Sequence, residues 1–307
     1  MIYKIKNSVS QTAWEDFVAS NPNGNIFQTP EMYEVYKATK KYHPVFLAAV
    51  DDDEIQGTLL AVIQKEHSGP LGKLSTRSII WGGPLIKDNN HKVLDLLLAH
   101  YNKSIKKKAI YSQFRNLWEW NDEEKGIFMK NGYAFNNHLD IIHDLSNTQN
   151  EQLMKMHKGR RKNIRRAIKQ NIEFKEIDNK QELTRSFNLI KDTYSKVKLP
   201  VPDISFFLSA FDILYPNNMV KFFKITHANT IIGVRYVLCY NNLIYDWYAG
   251  ADDKYLNKYP NDFLPYKVME WGYHNGYKHF DFGGAGKPNE KYGVRDFKLK
   301  FGGELVN

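Results

Sequence analysis

Twice along this chain a short polar turn joins two apolar strands, and each returning strand carries glycine at its third position. In the first half, residues 44–50 lead into an Asp-Asp-Asp-Glu turn at 51–54 and return as 55–63, with Gly57 third. In the second half, residues 220–226 lead into His227-Ala-Asn-Thr230 and return as 231–240, with Gly233 third. Runs of Val, Ile, Leu and Phe bounded by Asp and Asn turn residues read as antiparallel hairpins. Each hairpin is followed by an aromatic-glycine strand end, Ile79-Ile-Trp-Gly-Gly-Pro84 and Tyr245-Asp-Trp-Tyr-Ala-Gly250. A unit stated twice points to two related domains rather than one large sheet.

Helical spacing follows each hairpin. Val93, Leu96, Leu97 and Tyr101 repeat at helical intervals, and so do Phe263, Tyr266, Met269 and Tyr273, with Pro265 in a first turn that tolerates it. Asn131-Gly-Tyr133 then leads to a strand at 139–142, and Asn275-Gly-Tyr277 to one at 279–282. By this reading the first half inserts a strand at 109–115 and a helix at 123–130. Helices alternating with antiparallel strands imply an α/β fold with mixed sheets and flanking helices in each half. The boundary is expected near residues 146–152, giving domains 1–148 and 149–307, the second beginning with a basic helix. No Gly-x-Gly-x-x-Gly follows an early strand and no Walker A lysine is present, which argues against a dinucleotide or P-loop fold.

Two features carry chemistry. Lys155, Lys158, Arg160, Arg161, Lys162, Arg165, Arg166 and Lys169 form a dense basic block within a chain of net charge +9. At 100° per residue Lys158, Lys162, Arg165 and Lys169 share a face, with Arg161 beside it. Like charges at this spacing repel, so an anionic partner would relieve them, and Arg161 and Arg165 offer the forks that suit phosphate. A solvated basic face is the plain alternative. The second feature is the tail, where Asp281 precedes Gly283, Gly284 and Gly286, and Arg295, Lys298 and Lys300 precede Gly302-Gly303. Glycine backbone can approach a ligand closely and present N–H groups to an oxygen, with basic side chains to hold an anion. Read as a strand, residues 297–301 would place Lys298 and Lys300 on one face. Asp281, alternating with Phe280 and Phe282, would orient an amine or pair with Arg295.

These segments together resemble the FemAB/FemX-type peptidoglycan interpeptide-bridge aminoacyltransferases, within the GNAT-like acyltransferase superfamily. The likeness rests on Ile26-Phe-Gln-Thr-Pro30, Trp81-Gly-Gly-Pro84, Gly159-Arg-Arg-Lys-Asn-Ile-Arg-Arg-Ala167, Ile232-Gly-Val-Arg235, Tyr248-Ala-Gly250 and the tail from Phe280 to Gly303, and it spans essentially the whole chain. It implies a tandem of two GNAT-like domains and transfer of an amino acid from aminoacyl-tRNA to an amine of a cell-wall or glycan precursor. By that resemblance Lys298 falls at the active-site lysine of a Phe-Lys-x-x-Phe-Gly motif. The first domain would help form an acceptor groove from Gln28, Pro30, Tyr33 and Trp81. Tyr248, Gly283, Gly284, Arg295 and Lys300 join the expected substrate contacts, with Arg161 and Arg165 toward phosphate.

Two departures qualify the likeness. The chain has no room for the long coiled-coil arm of some bridge-forming enzymes. It also lacks the Arg/Gln-x-x-Gly-x-Gly/Ala loop of acetyl-CoA-binding GNATs, which weakens an acyl-CoA donor as the alternative. A non-catalytic RNA- or envelope-precursor-binding protein is the remaining reading. No cofactor is expected beyond the donor as cosubstrate. No metal is expected either, because the histidines lack a zinc spacing and the acidic runs look like turns. The single cysteine, Cys239, sits in an apolar strand and reads as a core residue. With no apolar run of 18 residues, the expectation is a cytoplasmic protein without stable membrane insertion. Its partners would be charged tRNA and a phosphate-bearing precursor, which would be lipid-linked at the membrane surface. The sequence gives no oligomeric state.

Overall fold

The computed structural model describes residues 2–65 and 76–307. Contacts divide the chain into two compact units, Met1–Asn136 and Asn137–Asn307. Among the described residues no helix is long and apolar enough to cross a membrane.

The first unit begins with strand β1 (Lys4–Lys6) and helices α1 (Gln11–Ser20) and α2 (Pro30–Ala38). The expected hairpin follows as β2 (Tyr42–Asp51) and β3 (Glu54–Lys65), then β4 (Thr76–Trp81) and the short β5 (Leu85–Ile86). Helix α3 (His91–Ile105), β6 (Tyr111–Arg115) and α4 (Asp122–Lys130) complete it. The sheet runs β1-β2-β3-β4-β6, antiparallel except for the parallel pair β4 and β6. Val93, Leu97 and Tyr101 of α3 bury against Leu47, Ala49, Leu59, Ala61 and Ile80 of the sheet. Fully buried, Tyr101 hydrogen-bonds through its hydroxyl with Ser78 Oγ at 2.7 Å and Ser112 Oγ at 2.8 Å, donating to one and accepting from the other, so it ties the two parallel strands together.

The second unit contains β7 (Asp140–Asp144), α5 (Gln149–Lys155), α6 (Lys158–Ile168), β8 (Glu173–Glu176), α7 (Lys180–Lys196) and α8 (Ile204–Ile213). Its hairpin is β9 (Val220–His227) and β10 (Thr230–Tyr240), followed by β11 (Leu243–Ala251) and helix α9 (Pro260–His274). After these come β12 (His279–Asp281), α10 (Gly293–Leu299) and β13 (Glu304–Val306). The sheet order is β13-β7-β12-β11-β10-β9-β8, with β11 and β12 parallel. Helices α6 and α9 cover one face through Ile164, Ala167, Leu264, Val268 and Met269.

The two hairpins repeat one device in detail. In each, the register slips by one residue just before the glycine, at Gln56 and at Ile232. A Cβ on Gly57 would lie 2.7 Å from Val93 Cγ1, and one on Gly233 would lie 2.9 Å from Leu264 Cδ1. Both glycines therefore let the following helix settle onto the returning strand, and the bulge turns that strand toward it. The chain is thus a mixed α/β protein in which the same hairpin-and-helix unit occurs twice.

Three expectations change. The strand at 139–142, expected to close the first domain, is β7 and pairs antiparallel with β12 and β13 of the second unit. The contact boundary accordingly lies at 136/137 rather than 148/149. Strand 109–115 is then no insertion. As β6 it pairs parallel with β4, just as β12 pairs with β11, and so it is the true counterpart of β12. Finally, the tail expected as a strand over 297–301 forms helix α10, with Lys300 at its C-cap. Phe297 and Phe301 lie four residues apart and both pack on the Arg160 guanidinium, at 4.3 and 4.2 Å to their ring centres. The helical spacing of these two rings overrides the period-two pattern of Phe297, Leu299 and Phe301.

Candidate active site

Buried charge in the second unit converges where β10, β11, β12, β7 and α10 meet. Strand β10 supplies Arg235 and β11 supplies Asp246, and their side chains form an ion pair with only 7% and 12% exposure. The pairing depends on a second bulge. Tyr236 lies opposite Tyr248 and Val237 opposite Asp246, so Trp247 is the extra residue. Simple alternation would put Asp246 and Tyr248 on one face. The bulge separates them, leaving Asp246 with Arg235 while Tyr248 packs on Tyr194 and Phe207, at 5.4 and 4.9 Å between ring centres. Tyr194 itself is held well above the usual phenol range by burial first and by the Asp246 charge second.

Strand β12 ends in Asp281, which is 3% exposed. Its Oδ1 accepts the Gly283 N–H at 2.6 Å, closing a tight turn in which Gly283 takes φ +69°. That conformation favours glycine. The Gly283 amide is thus taken by Asp281, and the turn offers its carbonyls to a lysine. Lys298, on α10, donates through Nζ to Gly283 O at 3.0 Å and Gly284 O at 2.9 Å. Burial lowers the Lys298 pKa, while Asp246, Asp140 and Asp281 oppose that shift. Asp281 does not pair with Arg295. Its neighbour is Asp140 of β7, diagonal to it across the β12–β7 ladder. Burial, and then the Asp140 charge, raises the Asp281 carboxyl well above the usual range. Asp140 is raised too, again by burial first.

Of the remaining candidates in this unit, Arg295 and Arg161 are engaged by backbone carbonyls, while Arg165 and Lys300 are exposed. Arg295 donates to the carbonyls of Ala285, Lys287, Pro288 and Glu290, so it clamps the loop before α10 instead of offering a fork to an anion. Arg161 donates to Met154 O at 2.8 Å and Met156 O at 3.0 Å, capping the end of α5. Arg165 is exposed and, with Lys158, Lys162, Arg166 and Lys169, lines a shallow groove on α6. Lys300 is exposed, and its carbonyl accepts the His157 N–H at 2.9 Å. Arg160 is buried, unlike its neighbours in the basic block. It pairs with Asp262 and donates to Phe297 O at 3.0 Å, anchoring α6 to α9 and α10.

In the first unit Gln28 is fully buried. Its amide donates to Leu60 O at 3.1 Å and Trp81 O at 2.7 Å and accepts the Leu60 N–H at 2.8 Å. Pro30, also buried, starts α2. These two lock the unit together and do not face a ligand. Tyr33 packs edge-on to Trp14 at 5.9 Å. Trp81 stacks on Phe27 at 5.3 Å and carries the Arg115 guanidinium 4.4 Å from its ring centre.

Sequence reasoning missed Asp140 because it assigned β7 to the other domain, and it treated Arg235 only as part of a motif. The signal for Arg235 was present: an arginine within an otherwise apolar central strand needs a buried partner.

Two mixed α/β units share one hairpin-and-helix scaffold, and the second gathers a lysine and carboxyls at the end of β12. Residues 158–298 match the model of an acetyltransferase (GNAT) domain. The Lipid II:glycine glycyltransferases of Staphylococcus epidermidis are 20% identical to the chain, covering 97% of it and 89% of the relative. Among solved structures, FemX aligns over 100% of this chain and 95% of its own, at 16% identity and a TM-score of 0.73. A tandem GNAT protein from the clavulanic acid biosynthesis pathway aligns over 99% and 95%, at 9% identity and a TM-score of 0.63. In sequence and in fold, the chain is similar to the FemAB/FemX-type family.

Proposed function

We propose that this protein is an amide-forming aminoacyltransferase that moves an aminoacyl group from a charged tRNA to an amine of a phosphate-bearing, lipid-linked cell-wall precursor at the cytoplasmic membrane surface. The observation that carries the reading is the Lys298 ammonium held on the Gly283–Gly284 turn beside buried carboxyls. Full-length likeness to Lipid II:glycine glycyltransferases supports the precursor as acceptor. The exposed basic face of α6 supports an anionic polymer as donor carrier.

The acceptor amine attacks the aminoacyl ester carbonyl, a C–N bond forms, and the C–O bond to the ribose breaks. The amine loses a proton and the ribose oxygen gains one. Cys239 is no covalent nucleophile, since burial pushes its thiol up to about 12. Direct attack needs positioning and charge stabilisation instead. An ammonium has three donors. Two of those on Lys298 hold the turn, and we assign the third to the developing oxyanion.

The test incubates the purified protein with aminoacyl-tRNA or acyl-CoA, each with a Lipid II-type precursor, and follows product mass. An aminoacylated precursor formed only with charged tRNA is expected. Product from acyl-CoA alone would reassign the donor, and no product from either would remove the enzymatic reading.

A further inference from the structure

Asp140 lies on β7, a strand that the first unit does not use. Register places Asp281 opposite Ile142, so Asp140 is its diagonal neighbour across the β12–β7 ladder. Each carboxyl has an oxygen tied to the backbone, Asp140 Oδ1 to the Ile141 N–H and Asp281 Oδ1 to the Gly283 N–H, both at 2.6 Å. The diagonal register sets the two side chains on one face of the ladder, where each carboxyl feels the other's charge. A carboxyl–carboxyl hydrogen bond requires a proton on one partner, because two carboxylates at contact repel and offer no donor.

The groups facing this pair are Lys298 from α10 and His138 from the segment before β7, with Asp246 of β11 and Arg235 of β10 next to Lys298. With one proton on the pair, its single charge and that of Asp246 balance Lys298 and Arg235. Loss of that proton would leave an uncompensated buried anion. It would also set two like charges against each other across the ladder that supports the glycine turn.

We propose that Asp140 is a positioning residue of the transfer site: it shares one proton with Asp281, and the paired carboxyls fix the turn whose carbonyls hold Lys298. The role rests on the transfer reading only where a rate is measured, since the proton can be observed in the resting protein. The linkage has a definite sign. A carboxyl raised in the folded state contributes full stability below the ordinary carboxylate range, and that contribution is lost as pH rises through the folded value. Asp140→Asn replaces the shared proton with a permanent N–H donor and keeps the charge of the singly protonated pair.

The experiment records infrared spectra of protein carrying 13C-carboxyl aspartate, together with transfer rates and melting temperatures from pH 5 to about pH 9. A protonated-carboxyl band is expected in the wild type at neutral pH, lost on alkalinisation and missing from Asp140→Asn. The alkaline fall in rate should move up by about one pH unit or more in that variant, and its melting temperature should fall less steeply with pH. Absence of the band from the wild type at neutral pH would overturn the proposal, as would superimposable pH–rate profiles for the two proteins. Should Asp140→Asn not fold, the wild-type band and its loss with pH decide the question alone.

Discussion

The two units share a hairpin, a bulge before a glycine and a helix seated on that glycine, yet they fill the adjoining space with opposite chemistry. In the first unit the polar group beside the central strands is the neutral amide of Gln28, its hydrogen bonds made to Leu60 and Trp81. In the second unit the central strands bear Arg235, Asp246 and Asp281, with Lys298 brought in from α10. A buried neutral amide bonded to backbone locks a fold at little electrostatic cost. Buried charges are expensive to keep and are arranged where charge must be handled. The comparison teaches that one scaffold occurs twice and that the buried charges are concentrated in one copy.

Removing each polar device separates these roles. Lys298→Ala should lower the transfer rate by about 10²- to 10³-fold, the range for loss of one oxyanion donor, while circular dichroism and the melting transition show a folded protein. Gln28→Ala leaves the Leu60 N–H and two carbonyls without their partner. It should cost about 2–4 kcal/mol in denaturant unfolding. In Gln28→Ala the chemical step should be retained wherever the protein remains folded. Gly57→Val and Gly233→Val each force a side chain into the facing helix and should each cost about 1–3 kcal/mol. Similar losses for the two would support equivalent glycines, and a loss confined to one would break the equivalence. The smallest stability effect belongs to Arg165→Ala, within about 0.5 kcal/mol because the side chain is exposed. Its charged-tRNA affinity should fall, with a shallower dependence on salt.

Much of this architecture was legible. The glycines at 57 and 233, the helical spacing of Val93, Leu97 and Tyr101, and the two hairpins marked the repeated unit because local periodicity encodes them. Strand partnership is not local. Nothing within residues 139–142 says that they pair with β12, so the domain assignment slipped, and Asp140 was lost to the site with it. The bulge at Trp247 was equally silent, since period two places Asp246 and Tyr248 together. The tail was read for its residues but not its shape. Lys298 lies beside the buried carboxyls, yet on a helix held by Phe297, Phe301 and Arg160, and the carbonyls of Gly283 and Gly284 accept its ammonium.

The central claim is that the second unit's Lys298 cluster carries the transfer step, and single-turnover kinetics address it most directly. With saturating charged tRNA and precursor, Lys298→Ala should slow product formation about 10²-fold or more while tRNA affinity stays near that of the wild type. An unchanged single-turnover rate in a folded Lys298→Ala protein would contradict the account.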